Sequence, residues 1–256
     1  MPDHQPRIRG QGIENREPLA PVGFDGDFSG QRFNRIAGPD LHGANAGGLF
    51  RVGFRFAYLS ETVDGALELG VYSVLDNEYP AEINECDGYL LTGSKTGVYD
   101  SAPWLDALQE FVRRAYLSQI PLVGICFGHQ MLAQALGGRA QKSELGWGIG
   151  ALTQQRASMS SPPSWMDEAP EQLCLIYSHQ DQVIELPEGA YRLYGSEFCP
   201  NGAFYIPGRV LAFQGHPEFT TEYIARLMHS RQERYQAGQY EHALDSLMRP
   251  LDNALV

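Results

Sequence analysis

Cys126 stands between two glycines in "GICFG", Gly124 to Gly128, where the apolar run "PLVGIC" gives way to the helical pattern "HQMLAQAL". Small residues on both sides of a nucleophile at a strand-to-helix corner mark an elbow, because strand and helix crowd together there and leave no room for side chains. Such a turn lifts the Cys126 sulfur above the carboxyl end of the strand and sets it at a helix N-terminus, whose partial positive charge stabilises an anionic sulfur. The same five residues also describe a core cysteine beside a glycine turn, so the elbow needs partners before it means chemistry.

A partner occurs in "VLAFQGHPEF". His216 and Glu218 are two apart, which in extended chain points both side chains to one side, and Pro217 holds His216 extended. Glu218 is then placed to accept the Nδ1 proton of the imidazole and leave Nε2 free to work on a thiol, the nucleophile, base and orienter logic of a catalytic triad.

These groups need a strand to carry the elbow and a second strand to carry the histidine. The segments "LELGVYSVL", "DGYLLTG" and "PLVGIC" read as strands, "FRFAYLSETV" as a short helix, and "SAPWLDALQEFVRRAY" as a helix with one apolar stripe and Pro103 in its first turn. Gly137 and Gly138 close the helix that follows Cys126. Later strands are "LCLIYS", "YRLYG", "AFYI" and "VLAFQ", before a helix starting at about Thr221. Strands alternating with helices predict a mainly parallel central sheet flanked by helices, and the strand-rich second half predicts a mixed or antiparallel extension. Residues 1–48, rich in Gly, Pro, Arg, Asp and Asn, show no such periodicity and read as an irregular extension. The catalytic-type domain is expected over 49–237 and a C-terminal tail over 238–256.

The balance of 19 Lys and Arg against 31 Asp and Glu, a formal charge of −12 over 256 residues, opposes binding to nucleic acid or to an anionic membrane. Cys86, Cys126, Cys174 and Cys199 show no CxxC spacing and follow no secretory signal, so neither a metal site nor a disulfide framework is expected, and the expected compartment is the cytoplasm. Cys86, Cys174 and Cys199 lack both elbow and histidine and read as structural.

Together with "DGYLLTGSKTGVYD" and "YSHQDQV", the stretches "GICFGHQMLAQALGG" and "FQGHPEF" resemble the class I glutamine amidotransferases over about residues 50 to 235, with four motifs in the family's order. The most similar subgroup is the stand-alone, GMP-synthase-like type with "TGSK" and "GICFGHQ". The resemblance implies an α/β, flavodoxin-like fold with a nucleophile elbow. It implies Cys126 as nucleophile, His216 as general base and acid, and Glu218 as orienter. Backbone N–H groups of Phe127 and of Gly93 or Ser94 would form the oxyanion hole. Gln130 would contact the bound substrate, and Ser178, His179 and Gln180 would meet its α-amino and α-carboxylate groups mostly through backbone. His129 and His179 read equally well as packed histidines. One departure is the family's opening apolar strand, for which nothing before Leu49 is a good match; "QRFNRIAG" comes nearest.

The implied reaction is hydrolysis of a γ-glutamyl amide, glutamine or a γ-glutamyl amine or peptide conjugate, through a γ-glutamyl thioester, with no cofactor. Three readings stay open: a free-standing hydrolase, a glutaminase subunit delivering ammonia to a separate synthetase, and a non-catalytic binding or redox-sensing module. The partners expected are the small γ-glutamyl substrate and either a synthetase or a second copy of the chain. Tyr99, Trp104, Trp147 and Phe219 are expected to line the leaving-group side with aromatic surface.

Overall fold

The computed structural model describes residues 70, 72–160 and 162–253. The extension read over 1–48, the helix expected from "FRFAYLSETV" and the first residues of "LELGVYSVL" lie outside the described residues. In the described part of that last stretch, Val74–Asp76 form a 3₁₀ turn where a strand was expected. The cause is local: the Ser73 hydroxyl donates to Asp76 Oδ2 at 2.6 Å and the Ser73 amide to Glu78 Oε2 at 3.1 Å, so side chains take the backbone's place and turn the chain.

From there the chain runs through β1 (Tyr89–Leu91), α1 (Pro103–Leu117), β2 (Leu122–Ile125), α2 (Phe127–Ala135), β3 (Arg139–Lys142), β4 (Gly148–Arg156) and β5 (Gln172–His179). Then follow β6 (Asp181–Glu185), β7 (Tyr191–Gly195), β8 (Ala203–Ile206), β9 (Val210–Phe213), α3 (Thr221–His229) and α4 (Gln239–Ser246). A seven-stranded sheet has the order β1-β2-β9-β8-β7-β4-β5, and β3 pairs with β6 in a separate antiparallel ribbon. Parallel pairing holds for β1, β2 and β9, with Tyr89 beside Leu122 and Ile125 beside Phe213. The strand-rich second half extends this part by antiparallel pairing through β8, β7, β4 and β5. The α/β class thus stands, and the three parallel strands are the ones that lead to the site.

Two sets of helices cover the sheet. Leu105, Leu108 and Val112 of α1 and Met131 and Leu132 of α2 bury against Leu122, Val210 and Ala212, as the apolar stripe of α1 requires. Ile224 and Met228 of α3 and Ala243 of α4 bury against Ile149 and Ile176. Alternation along β9 puts Leu211 and Phe213 on the opposite face from Val210 and Ala212, with Leu175 and Tyr177.

The residues beyond 237, expected as a tail, are instead fastened to the sheet. The Ser246 hydroxyl accepts from the Ala151 amide at 2.8 Å and donates to Ala243 O at 2.6 Å, while Asp252 takes the Cys174 amide on its carboxylate at 2.7 Å and returns its own amide to Cys174 O at 2.9 Å. The burial of Ile149 and Ile176 beneath α3 and α4 makes this segment part of the core.

Candidate active site

The elbow follows from sterics at two glycines. A methyl group on Gly124 would lie 2.6 Å from the backbone of Gly128, and one on Gly128 would lie 2.1 Å from Leu91 O. No side chain fits either gap, so β2, α2 and the end of β1 can approach only with glycine at both positions. Cys126 between them has φ 55° and ψ −103°, a conformation that L-residues hold only when their surroundings impose it. The surroundings do so: the Cys126 amide donates to Phe213 O at 2.8 Å, and its carbonyl accepts from the Gln130 amide at 3.2 Å.

Strand β9 delivers the histidine. After Phe213, the Gln214 amide donates to Gly202 O at 2.8 Å, and the His216 amide donates to Ile176 O at 2.7 Å, a single antiparallel bridge that fixes His216 against β5. Gly215 passes so close to Leu175 and Tyr177 that a methyl there would come within 2.9 Å of both. His216 Nδ1 donates to Glu218 Oε1 at 2.6 Å, with both side chains buried. The Phe219 ring stacks on the imidazole with centroids 3.9 Å apart and planes 9° from parallel, which leaves the ring one orientation. Burial by itself disfavours a charged imidazole; the Glu218 carboxylate and the Cys126 sulfur outweigh it and push the pKa of His216 up to about 10. The carboxylate thus favours the protonated imidazole.

The loop after β1 closes over this pair. A methyl on Gly93 would sit 3.5 Å from His216 Cε1 and 3.9 Å from Cys126 Cβ, so Gly93 packs directly against both. Ser94 uses its hydroxyl within the loop, accepting from the Thr96 amide at 3.1 Å. Phe127, the first residue of α2, follows the cysteine, and its ring packs on Trp104.

Gln130 is buried on α2, and its amide nitrogen donates to Asp181 O at 2.7 Å and to Gln214 Oε1 at 3.0 Å. Its side chain thus ties the elbow helix to β6 and β9. Ser178 and His179 end β5, and Gln180 forms the turn to β6, its carbonyl accepting from the Ser143 amide at 2.9 Å. The Ser178 hydroxyl has no hydrogen-bond partner among the described residues. His179 packs between Tyr177 and Phe198, and its Nδ1 donates to Asp181 O at 3.0 Å; burial, aided by the nearby charge on His216, pushes its pKa down to about 4. His129 is fully enclosed on α2, and burial pushes it down to about 3. Burial thus keeps both imidazoles neutral at physiological pH.

Two residues with no assigned role at the level of sequence prove central to this wall. Asp181 accepts at its backbone oxygen from Gln130 and His179, and its carboxylate takes the Tyr99 hydroxyl at 2.7 Å. Gln214 meets Gln130 from the other side. Both lie inside quoted motifs, "YSHQDQV" and "FQGHPEF", where adjacency to the histidines was the available signal.

The aromatic lining is not formed as expected. Trp104 packs on Phe127 at the edge of the core, Trp147 on Tyr235, and Phe219 is spent on His216, while Tyr99 is exposed and tied to Asp181. Helical spacing and packing claim such rings before a pocket can. Cys199 is fully buried, and burial pushes its thiol up to about 12, far from a reactive state. No group of three or more His, Cys, Asp or Glu among the described residues could hold a metal ion, and none of their helices is long and apolar enough to cross a membrane.

A profile of the family "Glutamine amidotransferase class-I" matches residues 57–229. The chain belongs to the class-I glutamine amidotransferase family. It is 31% identical over 183 residues to a glutamine amidotransferase-like protein of Schizosaccharomyces pombe, covering 69% of this chain and 72% of the relative. It is 29% identical over 187 residues to gamma-glutamyl peptidase 3 of Arabidopsis thaliana, covering 71% of this chain and 73% of that one. Among solved structures, the crystal structure of a glutamine amidotransferase from Methylobacillus flagellatus superposes with a TM-score of 0.61 at 26% identity, over 68% of this chain and 69% of the other. In this class-I glutamine amidotransferase the matched span includes the elbow, the loop at Gly93 and the His216–Glu218 pair, the groups that geometry brings together.

Proposed function

We propose that the protein hydrolyses a γ-glutamyl amide through a γ-glutamyl thioester on Cys126. The observation that carries this reading is a cysteine held on a strained elbow beside a buried imidazole that is itself paired with a carboxylate. The family membership and the relative named gamma-glutamyl peptidase support the same reading.

In the proposed reaction the sulfur anion of Cys126 attacks the δ-carbon of the substrate, and the carbonyl electrons move onto oxygen. The amides of Phe127 and of Gly93 or Ser94 receive that charge, each such donor contributing about 3 kcal/mol in the transition state. The raised pKa of His216 assigns its first act: it already holds the proton and gives it to the departing nitrogen as the carbon–nitrogen bond breaks. The neutral imidazole then takes a proton from water, whose oxygen attacks the thioester; the carbon–sulfur bond breaks, glutamate leaves and the sulfur anion is restored. Gln130, Ser178, His179 and Gln180 shape the γ-glutamyl pocket, His179 and Gln130 through Asp181.

The purified protein alone should release glutamate from at least one member of a panel of glutamine, γ-glutamyl amines and γ-glutamyl peptides. Silence across the panel, with the thiol shown to be reduced, would favour an ammonia-delivering subunit that works only with its synthetase.

Glu218→Gln separates the charge of the pair from its hydrogen bond. The amide keeps an acceptor for His216 Nδ1 but removes the anion that sustains the proton. His216 has a folded-state pKa above its unfolded value, so its contribution to stability is complete below about pH 6.5 and lost as pH rises through about 10. Without Glu218 that window narrows from the alkaline side. The alkaline limb of the kcat/KM profile should move to lower pH, and kcat should fall by roughly ten- to a thousandfold. An unchanged pH profile with unchanged kcat would make Glu218 a structural residue.

A further inference from the structure

Strand β5 ends the seven-stranded sheet, so one of its edges faces away from β4. Cys174 and Ile176 stand two apart on it, and alternate residues of an antiparallel strand present their backbone groups to the same edge. Two segments far apart in sequence dock there. At Ile176 the free edge takes the His216 amide on its carbonyl at 2.7 Å. At Cys174 it takes Asp252, whose carboxylate accepts the Cys174 amide at 2.7 Å and whose own amide donates to Cys174 O at 2.9 Å.

Asn253 joins the two. Its side-chain amide donates to Phe219 O at 3.1 Å, and Phe219 is the residue whose ring lies on the His216 imidazole. Tyr223 of α3 meets that same ring edge-on, with centroids 4.6 Å apart and planes at 63°. Phe219 is thus fastened at its carbonyl by Asn253 and at its ring by Tyr223. The segment that ends in Asp252 and Asn253 is itself anchored: Ser246 takes the Ala151 amide on its hydroxyl, and a methyl on Gly150 would lie 2.4 Å from that oxygen.

The imidazole needs this second support. Its bond to Glu218 fixes Nδ1 at one point, but the terminal torsion of a histidine is soft, and a ring held at one atom still pivots about it. A pivot moves Nε2, the atom that must face both the sulfur and the departing nitrogen. A coplanar ring at stacking distance blocks the pivot, and misplacing a catalytic group by about 1 Å costs on the order of a hundredfold in rate.

We propose that Asp252 and Asn253 act as a strap that sets the catalytic imidazole through Phe219, which makes Phe219 and Asn253 positioning residues for the reaction. Neither takes part in bond breaking; both act through His216. The kinetic consequence rests on the hydrolase reading above, whereas the setting of the imidazole is read without any substrate.

The test uses two variants of the full chain. Phe219→Leu keeps an apolar side chain but loses the plane; Asn253→Ala removes the donor without adding charge or touching the ring. Phe219→Leu should lower kcat by about ten- to a hundredfold and Asn253→Ala by about three- to tenfold, each with KM within about twofold of the wild type. Phe219→Tyr, which keeps the ring, should restore most of the rate. In an NMR titration the imidazole signals of His216, which titrates at about 10 in the wild type, should move to lower pH in both variants, because a ring that swings away from Glu218 and Cys126 loses what sustains its proton. Asn253→Ala reports geometry alone, since the Phe219 ring is still present, and this half-buried position carries the test even if Phe219→Leu does not fold. A His216 titration that stays in place in Asn253→Ala overturns the inference, whatever happens to the melting temperature, and leaves the hydrolase reading untouched. A wild-type protein that releases no glutamate from any γ-glutamyl amide overturns the hydrolase reading, and the titration then decides this inference by itself.

Discussion

Cys126→Ala is expected to cut glutamate release by about four to six orders of magnitude and to leave the fold in place. Alanine keeps everything the backbone does at the elbow: the amide bond to Phe213 O, the carbonyl that receives the Gln130 amide, and the φ of 55°, which costs alanine about what it costs cysteine. What is removed is the atom that forms the thioester, and no other side chain at the site can replace it. Cys199, in the connection between β7 and β8, has its thiol pushed up to about 12 and is fully enclosed. A second consequence follows for His216. One of the two groups that sustain its proton is gone, so its pKa should fall below that of the wild type, readable from the imidazole signals in an NMR titration. A variant that folds and turns over within about a hundredfold of the wild-type rate would remove the nucleophile from the scheme.

How much of this was legible in the sequence depends on whether a residue's role is set locally or by what packs on it. The elbow was legible because the crowding at Gly124 and Gly128 leaves a compositional trace, small residues on both sides of a cysteine after an apolar run. The His216–Glu218 pair was legible because spacing and Pro217 alone decide where the two side chains point, and the pair meets at 2.6 Å. Strand β4 was not legible. Its first four residues are Gly148, Ile149, Gly150 and Ala151, with Gly150 at φ 85°, and its later Gln154 is buried against Gly202, so no alternation of apolar and polar residues announces it. Its identity comes from eight register partners on β5 and from α4 on its flank. Strand β3, "RAQK", is exposed at three of its four residues and exists through pairing with β6.

The second large effect is on folding. Gly128→Ala adds one methyl group in the first turn of α2, a place where alanine is otherwise the better residue by about 1 kcal/mol. That gain is overwhelmed. The methyl carbon would lie 2.1 Å from Leu91 O, 2.7 Å from Leu91 C and 2.8 Å from Leu91 Cβ, so the obstacle is the backbone of β1 and not a side chain able to swing away. Either β1 or the start of α2 must retreat, and both are held: Leu91 pairs with Gly124 in the parallel sheet, and α2 is fixed by Met131 and Leu132 in the core. Overpacking a core typically costs about 1–3 kcal/mol, and against an immovable backbone the upper end or beyond is expected, so the net loss should be about 2 kcal/mol or more. The retreat also displaces Cys126 and the Phe127 amide, so activity should fall further than stability alone explains. Gly137→Ala supplies the contrast, because at φ 95° no atom lies within 4 Å of the added methyl and the only penalty is the left-handed conformation, about 1–2 kcal/mol with the active site undisturbed. Thermal unfolding of the two variants, with glutamate release measured on the folded protein, separates the cases. If Gly128→Ala melts with the wild type and keeps its rate, the close approach of β1 to α2 does not hold the elbow.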